Sequence, residues 1–149
     1  MIDGVVTAPL SRIPDERGTV FHMLKRTDPH FKEFGEIYFS SIYPGVVKGW
    51  HLHERMTINY ACIVGNIKLV LFDERPGSKT KGETEVIYLG QRNYVLASVP
   101  PGVWNGFMNL EPVESIVANC ATIPHDPSEV KRLDPHGSHI PYDWTRKDG

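Results

Sequence analysis

Short apolar segments separated by glycine and proline most constrain how this 149-residue chain can fold. The chain contains 13 glycines and 12 prolines, and their spacing is typical of all-β proteins. We predict strands at Val20–Leu24, Glu36–Ile42, Val46–His53, Asn59–Val64, Ile67–Phe72, Glu85–Leu89, Tyr94–Val99, Trp104–Met108 and Ser115–Ala121. Helical patterns are confined to Asp28–Phe34 and Ser128–Leu133, and Gly65-Asn66 is predicted to form a two-residue hairpin turn. The sequence therefore predicts a single all-β domain spanning residues 1–149.

The balance of charged and apolar residues indicates which classes of partner the chain is not expected to bind. With 16 basic and 18 acidic residues, nothing indicates a nucleic-acid-binding face or a membrane-surface helix. Apolar runs such as Leu69–Phe72 are far shorter than the roughly 20 residues of a membrane helix, and the N-terminus lacks a signal-peptide pattern. Cys62 and Cys120 lie in strand-like apolar segments and are predicted to be buried free thiols. We expect a cytoplasmic protein that binds neither nucleic acid nor membrane.

Two histidines stand at positions i and i+2 in the segment GVVKGWHLH, residues 45–53. Because side chains alternate along a strand, His51 and His53 are predicted to face the interior together. Lys48 is predicted to face the other way unless a bulge intervenes. On the following strand, Tyr60 is predicted to share the inward, largely apolar face. An imidazole in apolar surroundings tends to be neutral, and the neutral form can act as a base.

The placement of these histidines and of Gly65 resembles the first motif of the cupin superfamily, whose members are small β-barrels. The resemblance implies an all-β, cupin-type jelly-roll barrel with a short C-terminal helix or turn. In metal-binding cupins, a glutamate and a third histidine occupy the positions of Ile58 and Asn105. Their replacement implies a site that holds no metal and uses no cofactor.

Over about residues 15–144 the chain is similar to a narrower group, the dTDP-4-dehydrorhamnose 3,5-epimerase family. The matching segments are DERG at 15–18, GVVKGWH at 45–51, Gly65 and VPPGVWNGF at 99–107. The resemblance implies a deoxysugar-biosynthesis enzyme that removes a proton α to the 4-keto group of a nucleotide-diphosphate 6-deoxysugar. His51 would be the base, and Arg17 and Lys48 would bind the substrate. A homodimer that exchanges N-terminal strands is also implied, in which Arg17 reaches the partner's site.

Three functional residues of that family are replaced in this chain. The lysine that stabilises the enolate falls at Ile58, the tyrosine that serves as general acid falls near Ile116, and the histidine of the second motif is replaced by Asn105. A developing enolate in an apolar cavity needs a hydrogen-bond donor. The candidates to supply it are Asn105, His53 and Lys48.

Other side chains are assigned roles by the mechanism that the resemblance implies and by their expected position in the cavity. Tyr60 or Tyr38 is predicted to return the proton, and Trp104 is predicted to stack on the sugar or the nucleotide base. Asp143 or Asp148 would be the carboxylate that supports the base. The remaining histidines are predicted to lie on the surface, namely His22, His30, His125, His136 and His139.

Three alternative functions remain open from the sequence. Sugar-nucleotide 3,4-ketoisomerases of the same cupin type carry two catalytic histidines and a tyrosine on the preceding strand, an arrangement similar to His51, His53 and Tyr38. A non-catalytic sugar-binding barrel would fit the missing lysine and tyrosine. A metal-dependent oxygenase could use the two histidines with Glu54 or another ligand.

Overall fold

The computed structural model describes all 149 residues, which form twelve β-strands and one short 3₁₀ helix. The strands are β1 (Val6–Pro9), β2 (Arg12–Asp15), β3 (Gly18–Phe21), β4 (Glu36–Ile42), β5 (Val47–His53), β6 (Ile58–Val64), β7 (Asn66–Asp73), β8 (Thr84–Gly90), β9 (Val95–Val99), β10 (Val103–Asn109), β11 (Ser115–Ala121) and β12 (Val130–Arg132). The 3₁₀ helix, Pro127–Glu129, lies immediately before β12. No helix of the protein is long and apolar enough to cross a bilayer.

Two five-stranded antiparallel sheets form the barrel. The first sheet has the order β1-β9-β6-β11-β4, and the second has the order β12-β5-β10-β7-β8. Eighteen buried side chains, most of them from the two sheets, make one continuous apolar core between them. Strands β2 and β3 pair only with each other, as a separate hairpin. This architecture confirms the predicted all-β, cupin-type jelly-roll fold.

A second apolar cluster lies on the outer face of the second sheet. Trp50 and Trp104 contribute to it from β5 and β10, and the C-terminal segment covers it with Ile140 and Trp144. The rings of Trp50 and Trp144 are 5.1 Å apart. The cluster attaches the segment after β12 to the barrel, since aromatic rings bury large areas.

Several local predictions are wrong. Gly65 is not a hairpin turn between paired strands, because β6 pairs with β9 and β11 whereas β7 pairs with β8 and β10. The chain crosses there from one sheet to the other, with Gly65 at a φ of 79°. Asp28–Phe34 forms turns rather than a helix, and the pattern at Ser128–Leu133 becomes the end of the 3₁₀ helix followed by β12.

A bulge in β5 changes which side chains face the core. Asn105 pairs with His51, but Phe107 pairs with Lys48, so three steps along β5 match two steps along β10. The extra residue reverses the alternation of side chains on the N-terminal side of the bulge. Lys48 therefore lies on the inner face with His51, and Val47 packs against the outer cluster.

Candidate active site

A cavity of about 210 Å³ opens between the two sheets at the histidine pair. The first sheet contributes Tyr38, Ser40, Tyr60 and Asn119 to its wall. The second sheet contributes Lys48, His51, His53, Phe107, Val130 and Arg132, and His125 comes from the loop before the 3₁₀ helix. The histidines and the tyrosines thus lie on opposite walls of one cavity.

His51 is an unpaired imidazole in this cavity. Its ring nitrogens make no hydrogen bond within the chain, although the rings of His51 and His53 are only 6.4 Å apart. Burial, followed by the positive charges of His53, Arg132 and Lys48, lowers the pKa of His51 to about 4. At neutral pH His51 is therefore uncharged and able to accept a proton.

His53 has a carboxylate partner that the sequence did not indicate. Its Nδ1 lies 2.5 Å from Oε1 of Glu129, a residue only 1% exposed. Burial alone would raise the pKa of Glu129, but hydrogen bonds from His53 and from the amides of Arg55 and Met56 outweigh burial and lower it. Glu129 ends the 3₁₀ helix, whose N-cap Asp126 was the only sequence signal nearby.

The carboxylates expected to support the base lie elsewhere. Asp143 accepts a hydrogen bond from the backbone amide of Thr145, and Asp148 pairs with Arg146 at 2.7 Å. Neither reaches His51, so the expectation that one of them supports it is wrong.

The two tyrosines differ in how free their hydroxyl groups are. Tyr60 is almost fully buried and donates its hydroxyl proton to Oδ1 of Asn105 at 2.7 Å. Tyr38 is 40% exposed, and its hydroxyl makes no hydrogen bond within the chain. Burial, followed by the negative charge of Glu36, raises the pKa of Tyr38, so the phenol keeps its proton at neutral pH.

Asn105 does not line the cavity, but it makes hydrogen bonds with two residues that do. Its Oδ1 accepts from Tyr60, and its Nδ2 donates to the carbonyl oxygen of His51 at 3.1 Å. Both polar ends of the side chain are therefore occupied by protein groups. The structure thus departs from the expectation that Asn105 contacts substrate.

The cationic side chains of the cavity include one that the sequence did not indicate. Lys48 and Arg132 both line the cavity. Arg132 lies opposite His51 in the backbone register of β12 and β5. His125 is exposed, as predicted, and it also contributes to the lining of the cavity. Arg132 was missed because it lies in β12, and a strand of three residues leaves no periodic pattern in the sequence.

Two predicted substrate-binding residues lie away from this cavity. Trp104 packs in the outer cluster, and its indole Nε1 donates to Glu74 at 2.9 Å, so it cannot stack on a ligand bound between the sheets. Arg17 lies at the turn of the β2–β3 hairpin, where its 84% exposed side chain pairs with Asp15.

The ligand set of the metal-dependent alternative is not assembled. Glu54 pairs with Nζ of Lys131 at 3.2 Å on the surface rather than turning toward the two histidines. No three histidine, cysteine, aspartate or glutamate side chains converge in a way that could hold a metal ion.

Fold and site together define a small jelly-roll barrel with a histidine pair in its central cavity. A family model described as dTDP-4-dehydrorhamnose 3,5-epimerase matches residues 1–148. The spore coat polysaccharide biosynthesis protein SpsL of Bacillus subtilis (strain 168) is 34% identical over 143 residues, which are 96% of this chain and 91% of SpsL. The probable low-salt glycan biosynthesis epimerase Agl13 of Haloferax volcanii is 31% identical over 131 residues, covering 87% of this chain and 81% of Agl13.

A solved structure agrees with these sequence relatives. The dTDP sugar isomerase from Desulfovibrio desulfuricans G20 is 41% identical and superposes with a TM-score of 0.95, covering 99% of this chain and 94% of that one. The chain belongs to the dTDP-4-dehydrorhamnose 3,5-epimerase family.

Proposed function

We propose that this chain is a nucleotide-sugar epimerase that removes a proton next to the ketone of a dTDP-4-keto-6-deoxyhexose. The observation that supports it is the pairing of a neutral His51 on one sheet with a protonated Tyr38 on the sheet opposite. Inversion at carbon needs a base on one side of the sugar and an acid on the other, since the proton leaves one face and returns to the other. The cavity offers both.

The proposed reaction uses groups of the chain alone. His51 accepts the proton from the carbon next to the ketone, and the electrons of the broken C–H bond form an enolate whose negative charge lies on the ketone oxygen. Tyr38 then gives its hydroxyl proton to the opposite face of the same carbon, and the carbonyl re-forms. Proton exchange with water restores both residues. We assign the acid role to Tyr38 rather than Tyr60 because the Tyr60 hydroxyl is held by Asn105.

The diphosphate of the substrate is proposed to lie near Lys48 and Arg132. Both cations line the cavity beside His51, and a guanidinium matches the geometry of phosphate oxygens. Arg17 is proposed to complete this site from a second copy of the chain, because within one chain its guanidinium points into solvent.

A 3,4-ketoisomerase is the second candidate, favoured by the fact that His51 and His53 both face the cavity with Tyr38. The two reactions share the first proton abstraction and differ in where the proton returns. Epimerisation leaves the ketone in place, whereas ketoisomerisation moves it to the neighbouring carbon.

One experiment separates these functions. The protein is incubated with dTDP-4-keto-6-deoxyglucose in heavy water and followed by proton NMR. We expect deuterium to enter at C3, C5 or both, with the ketone remaining at C4. A ketone at C3 would identify the ketoisomerase, and binding without exchange at any carbon would identify a non-catalytic sugar-binding protein. His51→Ala should abolish exchange, while His139→Ala, which removes a surface histidine paired with Glu74, should not.

A further inference from the structure

Glu129 gives the two neighbouring histidines different surroundings. Its Oε1 lies 2.5 Å from Nδ1 of His53, and its Oε2 accepts from the backbone amides of Arg55 at 3.1 Å and Met56 at 3.3 Å. All three donors belong to the segment that follows His51, and none of them is His51 itself. One imidazole of the pair is therefore anchored by a buried carboxylate, and the other is free.

The contacts of Glu129 determine which nitrogen of His53 faces the cavity. An ionised carboxylate can only accept hydrogen bonds, so Nδ1 of His53 carries a hydrogen. Nε2 makes no hydrogen bond within the chain and is not sealed from solvent, and the ring lines the cavity. Nε2 presents an N–H group to the cavity when both ring nitrogens carry a hydrogen, and this is the form of His53 that the proposal below requires.

We propose that Glu129 is a positioning residue that, through His53, holds an N–H donor at the oxygen where the enolate charge develops. This proposal rests on the proposed function. When His51 takes the proton from carbon, the C–H electron pair becomes the enolate double bond and the carbonyl pair moves onto oxygen. Nε2–H of His53 donates a hydrogen bond to that oxygen and keeps its own proton. The electron pair returns from oxygen when the carbon is protonated again.

The geometry favours His53 over the other candidate donors for this role. Asn105 is occupied by Tyr60 and by the His51 carbonyl oxygen. Lys48 has a flexible side chain, and it lies on the inner face only because of the bulge in β5. His53 is the candidate whose orientation is fixed by a buried partner, and catalytic stabilisation of an oxyanion depends on donors that need no reorganisation.

The test replaces Glu129 by glutamine, which keeps the size of the side chain. One of its two terminal atoms becomes an NH₂ donor, so it cannot accept from both His53 and the two amides. We expect kcat for deuterium exchange to fall about 100-fold, the scale for losing one oxyanion donor, with KM changed less than about threefold. In a His53→Gln background the same change should cost less than about twofold, because its effect passes through His53. Glu111→Gln, which removes a carboxylate paired with Arg92 at 3.1 Å, should leave the rate unchanged.

Nitrogen-15 NMR of the histidine rings provides a readout that needs no substrate. In the wild-type protein both ring nitrogens of His53 should carry a hydrogen across the pH range of activity, and in Glu129→Gln this signature should be lost. A wild-type spectrum with a bare Nδ1 or a bare Nε2 on His53 would overturn the proposal, even if the variant does not fold. So would a folded Glu129→Gln protein that exchanges at the wild-type rate. Failure of the wild-type protein to exchange any 4-keto sugar would instead refute the proposed function itself, and this proposal with it.

Discussion

At the scale of single residues, the low pKa of His51 links proton abstraction to substrate binding. A base must be unprotonated, so activity is retained above the pKa of His51 and lost as the pH falls through it. In the free protein that pKa is about 4, first because the ring is buried and then because the charges of His53, Arg132 and Lys48 disfavour its protonated form. A bound diphosphate would offset the charges of Arg132 and Lys48, so the pKa of His51 is expected to rise when substrate binds. The acid limb of the kcat profile should then lie at higher pH than that of kcat/KM.

Replacing Arg132 by glutamine tests this linkage. The pKa of His51 should rise in the free protein, because one of the cations that lower it is removed. KM should rise roughly 10–100-fold, the scale for one hydrogen bond to a charged group. The pKa is measured by NMR titration of the His51 ring. Lys131→Gln is the matched control, since Lys131 is adjacent and pairs with Glu54 on the surface. An unchanged pKa of His51 in Arg132→Gln would contradict the electrostatic argument.

The two tyrosines offer a second residue-scale comparison. Tyr38→Phe removes the proposed acid but leaves the base, so deuterium should still enter at the carbon while formation of the epimer falls at least about 100-fold. Both quantities are read from one NMR time course. Tyr60→Phe instead leaves a buried amide oxygen of Asn105 without its donor and should lower the free energy of unfolding by about 1–3 kcal/mol. Equal loss of exchange and epimer in Tyr38→Phe would argue against its role as the acid.

At the scale of strands, the bulge in β5 is what brings Lys48 and His51 to one face. The bulge lies against Gly106 of β10, and a Cβ atom added to Gly49 would lie 2.8 Å from the Cα atom of Gly106. Gly49→Ala should therefore lower the free energy of unfolding by about 1–3 kcal/mol through overpacking. It should also raise KM, because the strand that carries Lys48 must move.

Chemical denaturation measures the first effect and steady-state kinetics the second. Gly137→Ala is the control, since an added Cβ there meets nothing closer than 3.7 Å. Its unfolding free energy should stay within about 0.5 kcal/mol of the wild type. A Gly49→Ala protein as stable as this control would show that β5 and β10 can move apart without lowering the free energy of unfolding.

The strands also show which parts of the fold and of the site could be predicted from the sequence. The strands that carry His51, Tyr60 and Tyr38 were predictable, because each is a seven-residue segment with clear apolar character. The bulge that turns Lys48 inward was not, because register depends on pairing with β10 rather than on the residues of β5 alone. Glu129 was missed for the same reason. It is 76 residues from His53 in sequence, and only the folded barrel brings the two together.

At the scale of the whole molecule, several apolar side chains are uncovered in a single chain. All eight strand residues of the β2–β3 hairpin are exposed, including Ile13 and Val20. On the outer face of edge strand β4, Ile37 is 50% and Phe39 60% exposed. Exposed apolar patches of this kind usually mark association surfaces, and unpaired edge strands are usually covered. We infer that a second copy of the chain covers them, which would also place the exposed Arg17 against another cavity.

Mixed dimers would test whether Arg17 serves the partner's cavity. Arg17→Ala and His51→Ala chains, each nearly inactive alone, are co-expressed with different affinity tags. In a mixed dimer the cavity of the Arg17→Ala chain keeps His51 and receives Arg17 from the other chain, so one site of two is complete. Random pairing makes half of the dimers mixed, and the total activity should recover to about a quarter of wild type in a symmetric dimer. If Arg17 instead served its own cavity, every site would lack one of the two residues. Purified mixed dimers without activity would therefore exclude the exchange, and a monomer in analytical ultracentrifugation would exclude the dimer itself.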